Sequence, residues 1–229
     1  MVSRRAALSR SREDYLKALY ELGRSAPAIS TSRLAAHLRV AAPSVTNMLR
    51  RLAAERLVRH VPRAGARLSA RGHREAMRIV RRHRILETFL VRVLGLDWSD
   101  VHEDAEVLEH HVSDRVLDAI DRVMRHPRED PHGHLIPDAA GRLRRRSLQP
   151  LARLAVGRAA VVREIQDRDR RRMARWRAAG LVPGARVWMR SARLDDDVFV
   201  IEVRGRRLSL GSEGLAGILI QPARAGRAS

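Results

Sequence analysis

The chain has 229 residues, 45% of them apolar, enough to bury a core, and its formal charge of +20 makes a polyanion the leading partner. It has no cysteine, which excludes disulfides, thiolate zinc sites and cysteine nucleophiles and leaves histidine and oxygen to ligate any metal. No apolar run is long enough to cross a bilayer and the arginine-bearing N-terminus lacks a signal-peptide core, so a cytoplasmic protein with no membrane partner is expected. Lys17 is the single lysine among 46 basic residues. Arginine-biased usage therefore accounts for part of the charge, and placement has to carry the argument.

In chain order, residues 11–22 place Tyr15, Leu16, Leu19 and Leu22 at helical spacing, with Ser11 as N-cap. Ser30 and Thr31 precede a short helix carrying Leu34, Ala35 and Leu38. Arg39 to Ala42 then make a turn before Pro43, which suits a helix start. In the next helix Val45, Met48, Leu49 and Leu52 form the buried stripe and Ser44, Asn47, Arg50 and Arg51 the opposite face. Leu57–Val61 and Ala66–Ser69 read as strands of a hairpin with a basic tip. The fold class is mainly α with a small β domain, and this first part is a winged helix-turn-helix.

A long helix from Ala70 to Leu94 carries Ala76, Ile79, Val80, Leu86, Leu90 and Val93 on one side, followed by helices over Ser99–Val112 and Asp114–Met124. Their apolar faces exceed what one layer hides, which predicts a homodimer. Proline and glycine place a loop at His126–Pro137, and Gly141–Pro150 reads as a linker. Beyond it, Val161–Ile165, Val187–Ser191, Val198–Val203, Arg206–Leu210 and Gly217–Ile220 predict a small β-barrel, with a charged helix around Arg170–Arg172. The expected domains are 1–73 for DNA binding, 74–140 for dimerisation, a linker at 141–150 and the β domain at 151–229.

A helix entering the major groove reads base edges through small polar side chains, amides and arginines near its N-terminus. Pro43, Ser44, Thr46 and Asn47 are so positioned, whereas Arg50, Arg51, Arg63 and Arg67 are suited to neutralising phosphates of double-stranded operator DNA. The competing use of such a fold is a protein contact, which the surrounding charge disfavours.

His102, Glu106, Glu109 and His110 fall at spacings of four, three and one, which sets the first three along one helical face. His83 and Glu87 are one turn apart, and His83 interrupts an apolar stripe. Taken singly, each is more simply a hydrogen-bonded core histidine or a solvated carboxylate. Two helices that both present imidazole and carboxylate favour a shared cation. His102-Glu103 is followed by Glu106 where a zinc protease needs a second histidine, and no nucleophile motif or phosphate loop is present, so no enzyme is expected.

These residues resemble the diphtheria toxin repressor family of metal-dependent regulators, and within it the manganese transport regulators. The resemblance rests on Glu13-Asp14-Tyr15-Leu16, Pro43-Ser44-Val45-Thr46, Arg82-His83-Arg84, Glu106-Val107-Leu108-Glu109-His110-His111, Asp130-Pro131-His132-Gly133 and Ile136-Pro137. It implies a winged helix, a helical dimerisation domain and a C-terminal SH3-like, FeoA-like domain. It assigns Asp14, Glu106, Glu109 and His110 to a primary metal site, and His83, Glu87 and His102 to an ancillary one, joined by Glu164 and Asp167 from the SH3-like domain.

Iron-responsive members carry Met and Cys where this chain has Asp14 and Glu106, so the resemblance implies Mn2+ as the activating ion. Fe2+ is the alternative, and Co2+, Ni2+, Zn2+ or Cd2+ are surrogates. Lys17 stands where short manganese regulators carry a carboxylate ligand, and it reads as neutralising a carboxylate or pointing to solvent. The rival readings are an iron-responsive regulator, a metal-independent winged-helix regulator with a small organic effector, a metal-dependent hydrolase and a nonspecific nucleic-acid binder.

Overall fold

The computed structural model describes residues 9–24, 26–61, 63–144, 146–166 and 169–223. They divide into two compact units, one of residues 1–83 with 137–143 and one of 84–136 with 144–229.

The first unit opens with α1 (Arg10–Gly23), α2 (Thr31–Leu38) and α3 (Ala42–Ala54), followed by the hairpin β1 (Val58–Val61) and β2 (Gly65–Leu68). Helix α1 begins at Arg10, ahead of the predicted Ser11 cap. The Ser9 carbonyl takes the Arg12 and Glu13 amides at 2.8 and 3.2 Å, so no side-chain cap is used. Ser30 caps α2 by accepting the Arg33 amide at 3.2 Å. Arg39, with φ of 54°, ends α2 in the left-handed conformation and turns the chain into α3, where Pro43 occupies the first turn.

Leu16, Leu34, Val45, Leu52 and Leu57, each at most 1% exposed, gather these elements around one core. The hairpin is held to the helices because Ile29 and Ala66 exchange backbone hydrogen bonds at 2.8 and 2.9 Å. Gly65 permits this close approach. Its φ is +113°, and a Cβ there would lie 2.0 Å from the Ile29 carbonyl oxygen.

Helix α4 (Ala70–Arg92) starts where the Ser69 hydroxyl accepts the Gly72 amide at 3.0 Å, and the boundary between the two units falls within it. In the second unit, Ile85, Leu86 and Leu90 of α4 pack with Val101 and Ala105 of α5 (Val101–Leu108) and Leu117 of α6 (Asp114–Val123). Helix α5 is shorter at both ends than the spacing predicts, and Val93, predicted on the buried stripe of α4, lies beyond its end and is exposed.

The remainder is a six-stranded antiparallel sheet in the order β3-β8-β4-β5-β6-β7. Its strands are β3 (Gln149–Pro150), β4 (Ala159–Ile165), β5 (Arg186–Arg193), β6 (Val198–Val203), β7 (Arg206–Leu210) and β8 (Ile218–Pro222). Helices α7 (Arg170–Ala178) and α8 (Ser212–Leu215) complete the SH3-like domain. Alternating burial along β4 and β6 sends Ala160, Val162, Phe199, Ile201 and Val203 inward, where Met173 and Trp176 of α7 and Trp98 join them.

Candidate metal centre and DNA interface

Pro43, Ser44, Thr46, Asn47, Arg50 and Arg51 are all exposed along α3, while Val45 and Leu52 are 0% exposed on its other side. The helix therefore offers one continuous polar and cationic face. Arg50 donates to Asn47 Oδ1 at 2.5 Å, which holds the amide and the guanidinium together on successive turns. Arg63, with φ of 58° at the hairpin tip, and Arg67 on β2 are exposed as well. All eight residues proposed from sequence for DNA lie on the surface of the first unit.

In the same unit, Asp14 is half-buried on α1. Lys17, one turn further along, is 5% exposed, and its Nζ lies 2.9 Å from Nδ1 of His83, itself 6% exposed. The single lysine is thus buried against an expected metal ligand. It does not point to solvent.

In the second unit, Glu87 is 2% exposed, a position where a carboxylate requires partners. Its Oε1 is 3.1 Å from Nδ1 of His102 and its Oε2 is 3.7 Å from Nδ1 of His132. Nε2 of His102 lies 3.2 Å from Glu106 on the same helix, as the four-residue spacing requires. Burial opposes charge on His102, but the hydrogen bonds and negative charge of Glu106 and Glu87 outweigh it and push the imidazole up to about 9. At the end of α5 the side chain of Glu109 is 1% exposed, with Oε1 3.6 Å from Nε2 of His110. Glu164 on β4 is buried, 3.4 Å from Arg146 and accepting from Gln166 at 3.1 Å. Asp167 lies outside the described residues.

Read from sequence, Asp130-Pro131-His132-Gly133 is only a signature run inside a loop. Folded, it brings Asp130, His132 and His134 together as a further group able to hold a cation, their ligand atoms all within 4.8 Å. Asp130 Oδ1 accepts the His132 and His134 amides, both at 2.9 Å, and Oδ2 is 3.1 Å from His134 Nδ1. His132 donates from Nε2 to the Trp98 carbonyl at 2.7 Å, and its Nδ1 lies 3.7 Å from Oε2 of Glu87. Burial opposes the charged form of His132, and Glu87 and Asp130 raise it regardless. The available signal was two histidines at alternate positions behind an aspartate, in a turn shaped by proline and glycine.

The donors available are thus carboxylate oxygens and imidazole nitrogens, several withdrawn from water, with no sulfur among them. That set fits a divalent cation. Comparison with known proteins leads to the same chemistry. An iron-dependent repressor N-terminal DNA-binding domain matches residues 7–66, an iron-dependent repressor metal-binding and dimerisation domain matches 69–138, and a FeoA domain matches 149–222. The iron-dependent repressor IdeR of Mycobacterium tuberculosis strain H37Rv is 30% identical over 191 residues, covering 76% of this chain and 81% of that protein. The chain belongs to the diphtheria toxin repressor family.

As a family member it is a metal-dependent, DNA-binding transcriptional repressor with a dimerisation domain, not an enzyme. The transcriptional regulator MntR of Escherichia coli O6:H1 is 39% identical over 107 residues, covering 47% of this chain and 68% of that protein. Among solved structures, a manganese-dependent transcriptional repressor in complex with manganese is similar over 93% of this chain and 100% of its own, with a TM-score of 0.87 and 33% identity. No helix among the described residues is long and apolar enough to cross a membrane.

Proposed function

We propose that this chain is a manganese-activated repressor of metal-transport genes that acts in the cytoplasm as a homodimer on double-stranded operator DNA. The observation that carries the reading is the Glu109 carboxylate, removed from water beside the His110 imidazole, in a chain that has no cysteine thiolate to offer such sites. A buried carboxylate calls for a cation, and oxygen-rich ligation suits manganese better than the metals that compete for thiolates.

The primary set is Asp14, Glu106, Glu109 and His110. The ancillary set is His83, Glu87 and His102, with Glu164 and Asp167 contributed by the SH3-like domain, and His132 adding an imidazole beside Glu87. Residues 1–73 read DNA, 74–140 bind metal and dimerise, 141–150 connect and 151–229 form the SH3-like domain. A bound divalent ion supplies fixed positive charge to both sets.

The remaining steps belong to the side chains. Asp14 lies on the DNA-binding part and Glu106, Glu109 and His110 on the dimerising part, so their shared engagement fixes the angle at which each α3 is presented. Two recognition helices in a dimer must meet half-sites about 34 Å apart, and a fixed angle removes the orientations that miss them. Pro43, Ser44, Thr46 and Asn47 then meet base edges, and Arg50, Arg51, Arg63 and Arg67 meet phosphates.

Ferrous iron is the second reading, favoured by the 30% identity to an iron-dependent repressor over three-quarters of the chain. The two are separated by fluorescence anisotropy of a duplex from upstream of a metal-transport gene, titrated with protein in chelator, in manganese and in anaerobic ferrous iron, against an unrelated duplex. Specific binding in manganese alone is the expected result. A preference for iron overturns the choice of metal, and equal binding in chelator overturns metal activation.

A further inference from the structure

Lys17 is the one basic side chain of its kind in the sequence and it is buried, where a charged ammonium is costly unless something receives its protons. What receives one is His83, through the 2.9 Å contact between Nζ and Nδ1. An ammonium has donors and no acceptor, so this bond exists only when Nδ1 carries a lone pair. A neutral imidazole with its lone pair on Nδ1 carries its proton on Nε2. Both nitrogens of His83 are then committed, one to the lysine and one to a proton, and neither has an electron pair to offer a metal.

We propose that Lys17 is an internal cation that competes with a divalent metal for His83, and so sets the metal concentration at which the ancillary set fills. The inference rests on the reading of His83 as an ancillary ligand. For His83 to ligate, the ring must surrender its bond to Nζ or shift its proton from Nε2 to Nδ1, and either change breaks the contact with Lys17. The consequence is an order of filling. The primary set, which does not use His83, fills without displacing this ammonium. The ancillary set responds only once metal is abundant enough to displace the ammonium.

The test uses the full chain without DNA. Manganese is titrated calorimetrically into the wild type, Lys17→Met, His83→Gln and the double variant, and retained metal is counted by elemental analysis after dialysis. Lys17→Met keeps the length of the stem and removes the competing charge. It is expected to tighten the weaker manganese event by about tenfold or more, the fold-change that one charge-assisted hydrogen bond represents, and His83→Gln is expected to cancel that gain.

If His83→Gln alone leaves the wild-type titration unchanged, His83 is no ligand and the ancillary assignment fails. If His83→Gln loses a manganese while Lys17→Met does not tighten one, the assignment stands and the competition is refuted. Weaker binding in Lys17→Met also refutes it, because the lysine then supports the site. Nitrogen-15 spectra of the histidines in metal-free wild type provide a check that needs no variant. They should show His83 with its proton on Nε2, and a proton on Nδ1 overturns the inference.

Discussion

On the proposed ancillary assignment, a proton and a metal compete for the His102 imidazole. Glu87 and Glu106 raise it from 6.5 to about 9 against the opposition of burial. Because the folded value is the higher one, the stability this charge gives the metal-free chain is complete below pH 6.5 and is lost as pH rises through 9. Manganese needs the deprotonated ring, so its binding to the ancillary set should tighten over that same window and release a proton. Calorimetry near pH 7 in two buffers of different ionisation enthalpy should report the released proton, and His102→Gln should reduce the buffer dependence, the raised His132 imidazole beside Glu87 accounting for any remainder. A buffer-independent enthalpy in the wild type would contradict the assignment of His102.

His102 and Glu106 were legible from sequence because a four-residue spacing on a helix fixes their relation without tertiary information. Lys17 was not. Its position depends on His83, sixty-six residues away, and a long cationic side chain on a helix ordinarily reaches water. The Asp130–His134 group was hidden for a related reason, since a loop has no period that tells which side chains turn inward.

Among the elements, the wing carries the sharpest requirement. A Cβ on Gly65 would lie 2.0 Å from the Ile29 carbonyl, and the residue's φ of +113° suits no other side chain. Gly65→Ala should therefore destabilise the winged helix by about 1–3 kcal/mol, the scale of local backbone strain. Thermal unfolding of the variant measures this, and an unchanged midpoint would mean that the wing is not tied to Ile29 as described.

Helices α1, α2, α3 and α4 and strands β6 and β7 followed from apolar spacing and caps, because each is long enough or sharply enough bounded to show its period. Strand β3, of two residues, and helix α8, of four, have no period to read. The start of β4 at Ala159 was missed because alanine is a weak strand former, and its pairing with Trp188 on β5, together with the Ala223 amide donated to its carbonyl at 3.0 Å, places it there. Helix α5 was overextended because His110 and Val112 continue its apolar and polar rhythm, whereas the chain turns after Glu109 towards the Ser113 cap of α6.

For the whole molecule, a charge of +20 gives affinity for any nucleic acid, so charge alone cannot make a regulator. Regulation requires that metal and operator bind to the same arrangement of the chain. In the proposed function, Asp14 and the Glu106, Glu109 and His110 set are the residues assigned to that link. Two ligands that favour one arrangement must strengthen each other by the same factor. The most direct test is to measure manganese affinity by calorimetry with and without a saturating operator duplex, and operator affinity with and without manganese. The account predicts that each ligand tightens the other by the same factor, and that Asp14→Ala removes this coupling while leaving the fold intact. Manganese affinity that is indifferent to operator DNA would contradict it.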